Sequence, residues 1–202
     1  MRPPQIETAR RCRTWFTAAC LWIVLLLAGS SAGQIRVGSL GSTSPDSVTV
    51  QINSGASQSI LSLVTGTTNN FSGGPLSITM SWNSLNPGRT AVALYGYFNS
   101  ATSALVHSTA GNTVDIPSAA VKVRVDGVGS YNPFSSVVPY TGSASGRLLI
   151  NQAISGANKT GSRTDTFDLQ IDLSGIVNGQ DMRQLPPDTY TGTLRIQAQA
   201  FP

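Results

Sequence analysis

The chain has 202 residues, with 13 Lys and Arg against 9 Asp and Glu. Four of the basic residues and one acidic residue lie in the first 32 positions, so the remainder carries 9 basic against 8 acidic residues. This balance excludes the clustered positive charge that nucleic-acid binding or attachment to an anionic membrane surface requires. Both cysteines, Cys12 and Cys20, also lie in the first 32 positions, so the remainder has neither a disulfide nor a thiol.

The amino-terminal segment has the residue order of a secretory signal peptide. Arg10 and Arg13 precede an apolar run over residues 15–28, and small residues follow up to Ala32. We expect cleavage after Ala32, which makes residues 1–32 the signal peptide and 33–202 an exported domain. An uncleaved anchor is the alternative, but the apolar run is shorter than the ~20 residues that span a bilayer. The processed chain is therefore expected to be secreted, with no integral membrane span.

The exported part alternates apolar and polar side chains with a period of two, which is typical of strands with one buried face. The segments with this pattern are 48–52, 76–82, 121–126, 167–173 and 190–200. Residues 90–98 are apolar on both faces, which favours a central strand. Asn86-Pro87-Gly88 predicts a turn before that strand. Nine to eleven short strands without a linker predict one all-β domain, either an antiparallel sandwich or a closed barrel.

The last strand has the clearest pattern of the chain. Its small or apolar positions are predicted to face the core, and its polar positions are predicted to face outward. The residues that we assign to the core are Tyr190, Leu194, Ile196 and Ala198, and those that we assign to the outer face are Arg195, Gln197 and Gln199.

The same closing segment carries a family resemblance. Pro186 or Pro187, Thr189, Tyr190 and Thr193, followed by the alternation, resemble the end of spore coat protein U and archaic chaperone-usher pilins. These are secreted bacterial domains, and the resemblance covers about the last twenty residues. It implies a single antiparallel Ig-like β-sandwich of the Greek-key type, exposed in the periplasm or at the cell surface.

The resemblance also implies a structural or adhesive role. Subunits of this group carry an incomplete sandwich that is finished by a strand from a chaperone or a neighbouring subunit, because an added strand satisfies an open sheet edge. A chaperone, an usher or like subunits are therefore the expected partners. The candidate donor segment is 34–42, where Ile35 and Val37 alternate with polar residues. The alternative is that this segment is the first strand of a complete domain.

Nothing in the sequence predicts an enzyme. His107 is the one histidine and lies in a strand-like segment, where a satisfied side chain is the common case. Asp168 and Asp172 share a strand face but are roughly 13 Å apart, which favours a solvated face over a catalytic carboxylate pair. We find no nucleophile motif and no dense acidic loop, so neither a cofactor nor a metal is expected.

Carbohydrate binding is the alternative function, since β-sandwiches often carry exposed aromatic rings that stack on sugars. Tyr131 and Tyr140, in a loop region interrupted by proline, are the candidate stacking residues. Tyr95, Tyr97, Phe98 and Phe134 complete the aromatic platform that this hypothesis requires. Trp82 and Tyr190 are instead assigned to the core, with the hydroxyl of Tyr190 bonded near a sheet corner.

Overall fold

The computed structural model describes residues 32–40 and 47–202, and this part of the chain forms a β-sandwich with three single-turn 3₁₀ helices. The strands before the first 3₁₀ helix are β1 Ala32–Leu40, β2 Ser47–Ser54, β3 Ser57–Ile60, β4 Thr68–Asn70, β5 Leu76–Asn83, β6 Ala91–Tyr97 and β7 Leu105–His107. The later strands are β8 Val121–Val125, β9 Val128–Pro133, β10 Gly146–Ala153, β11 Gly161–Asp172, β12 Ile176–Val177, β13 Gln180–Asp181 and β14 Thr189–Phe201. The 3₁₀ helices are Ser118–Ala120, Gly156–Asn158 and Met182–Gln184.

Two sheets carry the fold. The β14 sheet has the order β10-β6-β14-β1-β3, and β7 also pairs with β14. The β11 sheet has the order β2-β5-β11-β8-β9, and β4 also pairs with β11. Strands β12 and β13 form a separate short hairpin. The prediction of an all-β sandwich is confirmed.

The core lies between the inner faces of the two sheets. Phe98 and Phe134 are fully buried there and meet edge to face, with ring centroids 5.4 Å apart. Trp82 is also buried, as predicted, and its indole Nε1 donates to the carbonyl oxygen of Asn158 at 2.8 Å. Alternating burial along β5 and β11 follows the sequence period, because one face of each strand contacts the opposite sheet.

Several strand predictions are confirmed and the number of strands is corrected. Strand β6 lies centrally between β10 and β14, and a turn falls at Pro87-Gly88. That turn carries the chain from the β11 sheet to the β14 sheet. Fourteen strands are found in the described residues, more than the nine to eleven predicted, because β4, β7, β12 and β13 are only two or three residues long. The predicted signal peptide lies outside the described residues except for Ala32, which begins β1.

Candidate functional site

Residues 34–40 of the predicted donor segment lie in β1, inside the β14 sheet, and residues 41–42 lie outside the described residues. Strand β1 pairs with β14 on one side, from Ala32 opposite Thr189 to Leu40 opposite Gln197, and with β3 on the other side. The β1–β14 ladder is parallel, whereas every other strand pair among the described residues is antiparallel. Both edges of β1 are therefore paired, and β1 separates β14 from β3.

The inner face of β1 fits an apolar groove. Ile35 is fully buried and Val37 is 8% exposed, while Gln34 before them and Arg36 between them are exposed. Gly33 is the third inward position, and a Cβ there would lie 3.1 Å from the Cδ1 of Ile171. The groove is therefore narrow at Gly33 and wide enough for branched side chains at the next two inward positions.

Strand β14 forms one wall of this groove, with its inward residues as the sequence predicted. Tyr190, Leu194, Ile196 and Ala198 are all at most 2% exposed. Gln197 lies on the outer face as the period predicts, but it is only 5% exposed and not open to solvent. The hydroxyl of Tyr97 on β6 donates to the Oε1 of Gln197 at 3.4 Å, and Tyr140 from the loop before β10 packs on the Tyr97 ring.

A buried carboxylate fixes the beginning of β14. The side chain of Asp188 accepts hydrogen bonds from the backbone and hydroxyls of Ser108 and Thr109, from the Nδ2 of Asn112 and from the backbone of Thr189. The amide of Asn112 and these other donors hold the pKa of Asp188 well below its ordinary value. The carbonyl oxygen of Asp188 accepts from the backbone N–H of Ala32 at 3.0 Å. One residue thus connects β1, β14 and the loop after β7.

Tyr190 and His107 complete this corner. The hydroxyl of Tyr190 donates to the carbonyl oxygen of Pro186 at 2.7 Å and accepts from the Nδ2 of Asn112 at 3.2 Å, as predicted for a tyrosine at a sheet corner. The Nδ1 of His107 lies 2.7 Å from the Oδ1 of Asp115. Burial alone raises the pKa of Asp115, but hydrogen bonds that include the backbone N–H of His107 outweigh it and lower the pKa.

The two candidate stacking tyrosines do not share a surface. Tyr140 packs on the outer face of the β14 sheet against Tyr95 and Tyr97, with ring centroids 5.9 and 6.1 Å away. Its hydroxyl donates to the Oε1 of Gln199 at 2.5 Å, and burial raises its pKa to about 12. Tyr131 lies on β9 in the β11 sheet. The predicted single platform is therefore wrong, and Phe98 and Phe134 are core residues.

Tyr131 lines a shallow cleft of about 160 Å³ on the β11 sheet. The guanidinium of Arg124 lies over the Tyr131 ring, 4.7 Å from its centroid, and donates to Asp168 on β11. Asn70 and Phe71 also line the cleft. Sequence reasoning missed this set except for Tyr131, because the loop after β4 and strands β8, β9 and β11 come together only in the fold.

Asp168 and Asp172, the two aspartates that share a strand face, each form an ion pair with a basic side chain. Asp168 pairs with Arg124 at 2.7 Å, and Asp172 pairs with the Nζ of Lys122 at 2.6 Å. In residues 32–40 and 47–202 we find no group of three His, Cys, Asp or Glu side chains placed to hold a metal ion. The same ranges contain no apolar helix of membrane-spanning length.

Searches of protein-family models, of curated proteins and of solved structures gave no match to this chain.

Proposed function

We propose that this protein is an exported structural or adhesive subunit of the bacterial cell envelope that assembles through its first strand. In the assembly, β1 of one copy occupies the groove between β14 and β3 of the next. The observation that supports this proposal best is the placement of β1 between those two strands, parallel to β14, with both edges paired.

The groove has the properties that strand addition requires. Without β1, the facing backbone edges of β14 and β3 would lose their partners, and open sheet edges readily accept another strand. The sites of Ile35 and Val37 would also be exposed to water. Burying two such side chains contributes about 1.5–3 kcal/mol each, so an empty groove strongly favours any strand with the same pattern.

The position of β1 in the chain suits an exchange. If the leader is removed after Ala32 as the sequence predicts, β1 is a terminal strand, and it can leave one sheet and enter another without threading a loop. Domain swapping of such an element is a common route from monomers to assemblies. The resemblance of the closing segment to coat and pilin domains supports the same role, an Ig-like topology, and a chaperone, usher or like subunit as partner.

A variant that lacks residues 33–40 tests the proposal. We expect it to be unstable alone and to recover a cooperative thermal transition when a synthetic peptide of residues 33–40 is added. A peptide with Ile35→Asp is the matched control and should have no effect, because it would bury an unpaired charge. If the wild-type peptide changes neither the unfolding temperature nor the oligomeric state of the variant, the groove does not accept a strand in trans and the proposal fails.

A further inference from the structure

The cleft beside Tyr131 has the composition of a ligand site and borders β3, which is one wall of the groove that β1 occupies. Most of its lining belongs to the β11 sheet, and Gln58, which lies opposite Ile35 on β3, belongs to the β14 sheet. Its residues come from several elements: Asn70 ends β4, Phe71 follows it, Arg124 lies on β8, Tyr131 on β9 and Asp168 on β11. We infer that this cleft binds a neutral saccharide ring.

The hydrogen-bonding groups of the cleft are only partly used. Both donor nitrogens of Arg124 that reach Asp168 contact the same oxygen, Oδ2, at 3.1 and 2.7 Å. Within the described part of the chain, the Oδ1 of Asp168 accepts no hydrogen bond and the carboxamide of Asn70 makes none. The side chain of Asp168 is 28% exposed and lines the cleft. The cleft therefore offers a carboxylate acceptor together with an amide that both donates and accepts.

These groups favour a saccharide over the other ligand classes. The charges of Arg124 and Asp168 cancel, so the cleft does not select an ion of either sign. A purely apolar ligand would bury the Oδ1 of Asp168 without a partner, which is costly. A sugar ring presents adjacent hydroxyls that donate to Oδ1 and exchange hydrogen bonds with Asn70, and it presents C–H groups to Tyr131 and Phe71. Clefts with aromatic walls and a few polar groups are typical small-molecule sites.

The neighbouring ion pair supplies a matched control. Asp172 lies on the same strand as Asp168, is likewise paired with a cation, and does not line the cleft. Asn70→Ala is the most direct cleft variant, because Asn70 is exposed and its side chain makes no hydrogen bond that folding requires within the described residues. Asp168→Asn is the second variant, and its thermal unfolding curve shows whether the fold is retained.

The test uses the purified protein and a panel of neutral methyl glycosides of hexoses and N-acetylhexosamines, with binding measured by saturation-transfer NMR and titration calorimetry. We expect at least one glycoside to bind. Its affinity should fall about tenfold or more in Asn70→Ala and Asp168→Asn, because each loses a hydrogen bond to the sugar, and should stay unchanged in Asp172→Asn. Failure of every glycoside to bind at millimolar concentration would overturn the inference. Binding that survives both cleft substitutions would also overturn it, because the sugar would then lie elsewhere, such as beside Tyr140.

Discussion

Ile35 of β1 lies opposite Gly192 of β14 in the parallel ladder, at the point where β14 is flanked on both sides. Leu105 of β7 pairs with Gly192 from the other side, and a Cβ at Gly192 would lie 2.1 Å from the carbonyl oxygen of Ala104. Only glycine allows the segment that leads into β7 to come this close. Strands β1 and β7 therefore flank β14 on opposite sides at Gly192, and the close approach on the β7 side depends on the missing side chain of Gly192.

Replacing Ile35 tests whether β1 is an integral part of the sandwich. Ile35→Asp buries an unpaired charge at a fully buried position and should lower the free energy of unfolding by at least about 3 kcal/mol. Gln34→Asp, one residue earlier on the exposed face, should change it by less than about 0.5 kcal/mol. Urea denaturation of both variants measures the difference. Equal stability of the two variants would show that β1 does not occupy the groove in solution.

The narrow point of the groove predicts a size limit at Gly33. Gly33→Val places new methyl groups against Ile171 and Leu63, whose nearest atoms are already 3.1 and 3.5 Å from an added Cβ. Overpacking of this kind costs about 1–3 kcal/mol. Gly38→Val is the control, because a Cβ at Gly38 meets nothing within 4 Å. Thermal unfolding should separate the two variants, and an unchanged midpoint for Gly33→Val would contradict the described packing.

The hydroxyl of Tyr190 is predicted to stabilise the corner at the start of β14. Tyr190→Phe removes the hydrogen bond to the carbonyl oxygen of Pro186 and leaves Asn112 without one acceptor. The expected loss is about 1–2 kcal/mol in the free energy of unfolding. Tyr131→Phe should have little effect on stability, since the Tyr131 hydroxyl makes no hydrogen bond within the described residues. Chemical denaturation of both variants checks the prediction, and a loss as large in Tyr131→Phe would contradict it.

Stability should fall in acid because paired carboxylates must take up protons. Burial alone raises the pKa of Asp172, but hydrogen bonds from Lys122 and Ser174 outweigh it and lower the pKa from 3.8 to about 2. The unfolded chain therefore binds the proton first as the pH falls. The contribution of this residue, on the order of 1–2 kcal/mol, is complete above about pH 5 and is lost as the pH falls through 4 towards 2. The pKa values of Asp115 and Asp188 are also lowered, so these residues act in the same direction.

Measuring the free energy of unfolding from pH 7 to pH 2 tests this account. The curve should be flat down to about pH 5, because the depressed pKa values place proton uptake below that point. Asp172→Asn should lower stability at pH 7 and reduce the slope below pH 4. A slope that is the same in Asp172→Asn and in the wild type would show that the Lys122 pair does not contribute.

The sequence predicted those parts of the fold that depend on local alternation. Burial of Tyr190, Leu194 and Ile196 follows directly from the two-residue period, because inward and outward positions alternate in any strand with one dry face. The same two-residue period predicts that Gln197 is open to solvent, but Gln197 is only 5% exposed. Its side chain lies on the outer face, but Tyr97 donates to it and Tyr140 from a distant loop packs on Tyr97, and no local pattern encodes these contacts.

Neighbour relations and sites were harder to predict. The alternation of Ile35 and Val37 predicted a strand, which is present as β1, but the pattern did not indicate that β1 pairs with β14 in parallel. The pattern of a strand specifies its faces, whereas pairing depends on contacts between residues far apart in the chain. Tyr131 and Tyr140 had the same apparent role in the sequence, but Tyr131 lies on β9 of the β11 sheet, whereas Tyr140 packs from a loop onto the β14 sheet. The partners of Tyr131 in the cleft come from other strands and could not be grouped without the fold.

A disulfide trap across the β1–β14 ladder tests the proposed strand exchange most directly. Arg36 and Thr193 are opposite each other in the parallel ladder, both are exposed, and the chain has no cysteine after Cys20. Equal amounts of the single variants Arg36→Cys and Thr193→Cys are unfolded together, refolded and oxidised. Exchange predicts disulfide-linked dimers that form only when both variants are present. If the mixture stays monomeric while the double variant closes a disulfide within each chain, then β1 completes its own sandwich and assembly by strand exchange is contradicted.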